Sequence, residues 1–193
     1  MSEIFPGDVV EPAELVIVPL GGCQAGVVAE AKGMVRIRAA SASDVASLSA
    51  YFISLSPTSR NKRFMGARAD FAVVAAECLP KTSHPDRFTL LAELRREGQG
   101  TIIGETRYAY DAAASQGEFA ISVADAFQRQ GVGFLMMTAM EMRAVNLGHD
   151  MIAGETARTN AEMRGLAKKA GFRDTGLGDW QSIHLAKRLS RRR

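Results

Sequence analysis

Glu118-Phe119-Ala120-Ile121-Ser122-Val123, then Gln128-Arg129-Gln130-Gly131-Val132-Gly133, then the run from Phe134 to Leu147: the organisation of the chain is read outward from this stretch. The first segment alternates with the two-residue period of a strand. The last contains neither proline nor glycine and reads as a helix. Strand, glycine loop and helix together form a layout that binds a diphosphate. Glycine lets the backbone approach closely and adopt positive φ, and the first N–H groups of a helix carry partial positive charge.

The spacing excludes two common phosphate loops. No Gly-Lys-Ser/Thr closes it, so it offers no lysine for a γ-phosphate and no hydroxyl for magnesium. It also lacks the third glycine and the downstream acid of a dinucleotide fingerprint. Taken alone, the six loop residues fit an ordinary strand-to-helix turn equally well. The flanking sequence adds more. Val35-Arg36-Ile37-Arg38-Ala39-Ala40 alternates as a strand and runs into the helix-opening cluster Ser41-Ala42-Ser43-Asp44, after which Val45, Leu48, Phe52 and Leu55 recur at helical spacing. Asp150 to Thr156 reads as a strand, and Asn160-Ala161-Glu162-Met163-Arg164-Gly165-Leu166 as the helix after it, leaving through Gly171-Phe172.

On these residues the chain resembles the GCN5-related N-acetyltransferase (GNAT) family, whose coenzyme A loop has the form Gln-x-x-Gly-x-Gly after a strand. The similarity runs from about Val35 to Leu189. Within the family, Ser56-Pro57-Thr58-Ser59-Arg60-Asn61-Lys62-Arg63-Phe64 and Glu118-Phe119-Ala120 through Val123-Ala124-Asp125 resemble the bacterial protein-lysine acetyltransferases that modify acyl-CoA synthetases. The resemblance implies an α+β fold with a mixed, mainly antiparallel central sheet flanked by helices. It implies acetyl-CoA as co-substrate and a protein lysine as the expected acceptor. It also implies a coenzyme A thioester lying along Ile121, Ser122 and Val123, with its diphosphate on the amides of Arg129, Gln130, Gly131, Val132, Gly133 and Phe134. Gln128 opens that loop, Arg129 adds a charge near the phosphates, and Asn160 reaches the pantetheine arm or simply caps the last helix.

Acyl transfer to lysine meets one main obstacle. With a lysine pKa of about 10.4, using the neutral amine at pH 7 costs about 4.6 kcal/mol. A general base removes that cost, and an already activated thioester needs no covalent enzyme intermediate. Glu118 matches the glutamate that the resembling enzymes use as this base, and Glu105 is the reserve. Asp125 is expected to organise the turn before the loop. Many relatives place a tyrosine in the last helix to protonate the departing thiolate, whereas Ala167 stands here. Tyr108 and Tyr110 are substitutes that nothing in the spacing establishes, so the leaving-group acid is unassigned. Arg60, Arg63 and Phe64 are read as a helix with one charged face and one buried aromatic, and the methionines at 136, 137, 140 and 142 as core filling.

Composition sets the outer bounds. The chain has 193 residues, 47% of them hydrophobic and 23% charged, enough for one domain with its own core. Residues 34–190 are expected to form that domain. Residues 1–33 are an extension, either an extra strand built on Val16-Ile17-Val18 or a flexible arm, and residues 191–193 are a basic tail. No stretch approaches a membrane span and no basic, then apolar leader opens the chain, so a cytoplasmic protein is expected. Cys23 and Cys78 read as free thiols, and His84, His149 and His184 make no metal pattern. Residues 1–33 carry five acids against one base, a net of −4. Since the whole chain is +3, the rest carries +7. A basic surface suits phosphates and acidic partners. No basic, aromatic-interleaved stripe accompanies it, so nucleic acid is not an expected partner. Two other functions stay open: acetylation of a small amine, and non-catalytic acyl-CoA binding.

Overall fold

The computed structural model describes residues 15–19, 34–66, 70–79, 86–96 and 98–190. The basic tail, Cys23, His84 and the break at residues 80–85 lie outside them. The strands are β1 Leu15–Pro19, β2 Met34–Ala39, β3 Arg87–Arg96, β4 Gln99–Asp111, β5 Gln116–Val123, β6 Met151–Ala157, β7 Arg173–Asp174 and β8 Ser182–Arg188. The helices are α1 Val45–Ser54, α2 Pro57–Phe64, α3 Phe71–Cys78, α4 Val132–Asn146 and α5 Ala161–Lys169. The strands form one sheet in the order β1-β2-β3-β4-β5-β6-β8-β7. Every pairing is antiparallel except β5 with β6. This is the mixed, mainly antiparallel α+β architecture expected. The apolar run near Val16 is an edge strand against β2.

Strand alternation sorts the side chains into two layers. Val35 and Ile37 face α4, whose Met136, Met137 and Met140 are fully buried against Tyr108, Ile103 and Ile152. At about 1.5–3 kcal/mol for each large apolar side chain buried, this seam is the main cohesion of the domain. On the other face α1, α2 and α3 pack around Leu48, Phe52, Phe64, Phe71 and Leu91. The starts of these three helices have local causes. The Asp44 carboxylate accepts from the Ser41 N–H at 2.8 Å, Pro57 opens α2 behind Ser56, and Asp70 accepts from Ala72 N–H at 2.9 Å.

Candidate active site

β5 and β6 run side by side over two residue pairs only, Gly117 with Ile152 and Glu118 with Ala153. Beyond Glu118 they part, although β5 continues to Val123 and β6 to Ala157. The gap between them opens into a cavity of about 500 Å³, within the usual range for small-molecule sites. Ile121, Ser122 and Val123 form one wall, Gly154, Glu155 and Thr156 another. The start of α4 and the start of α5 close its ends, and Ser59, Lys62 and Arg63 of α2 reach over it. Gly154 is required here, since a Cβ would stand 2.6 Å from the Phe119 ring.

The glycine loop supplies the donors. Gly131 has φ 90° and Arg129 φ 59°, the latter in a left-handed conformation that costs a non-glycine residue on the order of 1 kcal/mol. The first helical bond of α4 runs from Leu135 N–H to the Gly131 carbonyl. Among the described residues no N–H from Arg129 to Phe134 has a protein acceptor. A row of unsatisfied amides at the positive end of a fifteen-residue helix fits a diphosphate. Arg129 and Lys169 line the same cavity, with the Lys169 ammonium 5.0 Å from the centre of the Phe134 ring.

Of the loop residues read from the sequence, Gln128, Arg129, Gly131, Gly133 and Phe134 line the cavity; the side chains of Gln130 and Val132 do not. Gln130 donates to the Ala126 carbonyl at 2.7 Å, and Val132 is buried in the core, so each offers only its backbone. Gln128 donates to the Val123 carbonyl at 3.0 Å and to the Ser59 hydroxyl at 3.2 Å, which makes it a strut of the loop. Asn160 lines the cavity as the cap of α5: its Oδ1 accepts from Met163 N–H at 3.2 Å and its Nδ2 donates to Thr156 Oγ1 at 3.1 Å.

Several expectations need correction. Asp125 does not organise the loop turn through its side chain. It accepts from Ser56 N–H at 3.0 Å and from the Ser56 and Ser59 hydroxyls at 2.7 Å, because α2 starts against the end of β5. Burial raises its pKa, but those donors outweigh it and hold the carboxylate below its ordinary range. Glu105 is no reserve base: it is fully buried and chelated by Arg63 through contacts of 2.9, 3.0 and 3.1 Å. Arg63 therefore turns inward rather than standing on a solvated face, while Phe64, expected to be buried, is only half-buried and packs edge-on against Phe52. Tyr108 and Tyr110 lie away from the cavity, the first hydrogen-bonded to His149 Nδ1 at 2.9 Å and the second stacked on the same ring. Ala167 is fully buried in the α4 layer and does not line the cavity.

Glu118 is exposed and does not line the cavity wall; it sits at the last paired position before the strands part. The sequence reading missed Lys62, Glu155, Glu162 and Lys169, all of which line the cavity. Lys62 of α2 reaches Glu162 of α5 at 2.9 Å and, by that hydrogen bond, lowers the carboxyl's pKa. Behind the wall the buried Tyr51 hydroxyl lies 3.0 Å from Oγ of the cavity-lining Ser122, with burial keeping the Tyr51 phenol protonated. Among the described residues no cluster of His, Cys, Asp and Glu has the make-up of a metal site, and no helix is long and apolar enough to cross a membrane.

Comparison with known proteins agrees with this geometry. The model of the acetyltransferase (GNAT) family matches residues 46–172. No curated protein matches the chain in sequence. Among solved structures, the GNAT domain of PAT from S. lividans is similar with a TM-score of 0.73 at 22% identity, covering 92% of this chain and 97% of that one. Ribosomal-protein-S5-alanine acetyltransferase from Vibrio fischeri is similar at TM-score 0.65 and 16% identity, over 80% and 93% of the two chains. The structure of yncA from Salmonella typhimurium with its cofactor acetyl-CoA gives 0.62 and 16%, over 82% and 96%. At these identities the likeness is one of fold.

Proposed function

The chain belongs to the GNAT family of acetyltransferases, with acetyl-CoA as co-substrate, and on that premise we propose that it acetylates a protein lysine in the cytoplasm by direct transfer in a ternary complex, with Glu118 as general base. The observation that carries the reading is the parting of β5 and β6. It leaves a slot whose floor is strand edge, whose one end is a row of free amides, and at whose apex stands an exposed carboxylate.

In this reading the amides of Arg129 to Phe134 hold the diphosphate, and Arg129 and Lys169 add charge beside it. The arm follows Ile121 to Val123, which orients the acyl carbon toward the apex. Glu118 takes the proton as the amine attacks, and general base catalysis of this kind is worth about 10²–10⁴ in rate. The thiol leaves as a thiolate with pKa near 8.5, which water protonates. A protein acceptor is favoured by the segment between β7 and β8, where Leu177 and Trp180 are 79% and 81% exposed. That segment is pinned by the Asp179 carboxylate, which accepts from Ser182 N–H at 2.7 Å, so it presents large apolar side chains on an ordered loop. Acetylation of a small amine is the second reading, favoured by Glu155 and Glu162 on the cavity wall.

The test is incubation with isotopically labelled acetyl-CoA and purified acyl-CoA synthetases, read by peptide mass spectrometry. Glu118→Gln should lower kcat/KM by 10²-fold or more, on the order expected for a lost general base, while the Kd for acetyl-CoA stays within twofold. Full activity in that variant removes Glu118 as the base. Labelled small amines without labelled protein would transfer the assignment to the second reading.

A further inference from the structure

Glu155 and His184 have no role in the mechanism above, yet they are direct partners across β6 and β8. Antiparallel partners project from one face, with Cβ atoms about 4.5–5.5 Å apart. Glu118 pairs with Ala153, two residues before Glu155, so Glu118, Glu155 and His184 share that face. Over β2 to β5 the same face is roofed by α1, α2 and α3; Ser122, two residues beyond Glu118, bonds Tyr51 of α1. The apolar cluster under that roof includes no residue of β6 or β8. The three polar side chains therefore stand just outside its edge, with Glu118 and Glu155 exposed and His184 half-buried. Glu155 also lines the slot.

The His184 ring is held in a defined state. Thr175 Oγ1 lies 3.0 Å from His184 Nδ1 and 3.1 Å from the His184 carbonyl. A carbonyl only accepts. The arrangement that satisfies both contacts has the hydroxyl donate to the carbonyl and Nδ1–H donate to the hydroxyl. In the neutral ring that tautomer places the lone pair on Nε2, for which the described residues supply no partner.

We propose that Glu118, Glu155 and His184 form the acceptor subsite, and that it selects a primary alkylammonium. The subsite rests on the acetyl-transfer reading given above. A primary ammonium carries three N–H donors. Two carboxylates and the Nε2 lone pair give it three acceptors on one face. Between them the strands project only Ala120, Ala153 and Ala186, so no large side chain obstructs an unbranched alkyl chain. Glu155 and His184 hold the amine, and Glu118 takes its proton. The nitrogen bonds to the acyl carbon, the carbon–sulfur bond breaks, and the thiolate gains a proton from water. An N-methylated amine loses one donor, and an alcohol lacks the charge that a carboxylate pair favours.

The test uses the full chain with acetyl-CoA and two acceptor probes, an Nα-blocked lysine peptide and cadaverine, each beside its N-monomethyl form. The variants are Glu155→Gln, Glu155→Asp and His184→Asn; the last keeps a donor for Thr175 and removes Nε2. Calorimetric Kd for acetyl-CoA serves as the control for folding and for the slot. In Glu155→Gln and His184→Asn the acceptor KM should rise about tenfold or more, in line with the loss of a charged hydrogen bond. In both, kcat should stay within about threefold of wild type and the acetyl-CoA Kd should be unchanged. Glu155→Asp should recover most of the loss, and wild type should prefer each primary amine over its methylated form. An unchanged acceptor KM in both variants, or equal use of methylated and primary amines, overturns the subsite while leaving the transfer reading intact. Wild-type protein that binds no acetyl-CoA, or acetylates no amine, overturns both.

Discussion

Removing Arg63 while keeping Glu105 gives the most demanding test of how the two layers are joined. The Glu105 side chain has no solvent exposure and the Arg63 side chain 9%, and the guanidinium also lies 5.1 Å from the centre of the Phe64 ring. In Arg63→Met three charged hydrogen bonds disappear and a carboxylate is left in the core without a cation. Breaking one side of such a pair costs about 3–5 kcal/mol, whereas replacing both partners by apolar groups is often close to neutral. In a chain of this length each kcal/mol moves Tm by about 2–4 °C, so Arg63→Met should melt roughly 6–20 °C lower. The double variant Arg63→Met/Glu105→Leu should regain most of that. Urea unfolding followed by far-ultraviolet circular dichroism, run as a double-mutant cycle, gives the coupling energy, which should exceed about 2 kcal/mol. Two results refute the reasoning: an Arg63→Met protein within about 1 kcal/mol of wild type, given the expected cost, or a double variant whose loss equals the sum of the singles.

Other outcomes follow from single features. The Arg38 guanidinium, hydrogen-bonded to Asp44 at 2.7 and 2.8 Å, outweighs burial and holds its carboxyl down at about 2. Because the folded pKa is depressed, the stabilisation, on the order of 2 kcal/mol, is present above the unfolded pKa near 4 and fades between pH 4 and pH 2. Asp44→Asn should therefore be less stable than wild type at pH 6 and match it near pH 2 in acid-unfolding curves. Gly133→Val places its Cβ 3.1 Å from Leu166 Cδ2 at the slot. Calorimetry should find acetyl-CoA binding at least tenfold weaker, with stability changed by no more than about 1 kcal/mol, since valine in a helix is no worse than glycine. Asn160→Ala removes the cap of α5 and should cost about 1 kcal/mol in urea unfolding, whereas Asn160→Asp, which keeps the accepting oxygen, should cost less than half of that.

What the sequence made legible follows the reach of each interaction. α4 and the glycine loop could be placed because their signals are local: an unbroken helical run and glycines spaced for a turn. Gln128, Gly131, Gly133 and Asn160, which the family resemblance pointed to, line the cavity. The two-residue β7 is too short for any periodicity. The parting of β5 from β6 is a fact of register between distant segments, Gly117 with Ile152 and Glu118 with Ala153, and alternation within one strand does not encode it. Glu155 reads as an ordinary outward strand residue until β6 is set against that gap. Ser56 and Ser59 carried a family motif, but their purpose, gripping Asp125 66–69 residues away, appears only once α2 lies against β5. Arg63 was read onto a charged helix face and Glu105 as a reserve base because a mate 42 positions distant is invisible to any local window.

Among the described residues, two rungs are all that tie the first five strands to the last three through backbone pairing. The domain is thus two half-sheets stitched at a short seam, and the missing rungs are the places a guest must fill. A thioester arm whose own amides bridged those edges would finish the ladder, so occupancy and mechanical unity become one property. Backbone amides on both flanks of the gap should then exchange with deuterium more slowly together when the guest is present, including those of β8, whose Leu185 alone lines the slot.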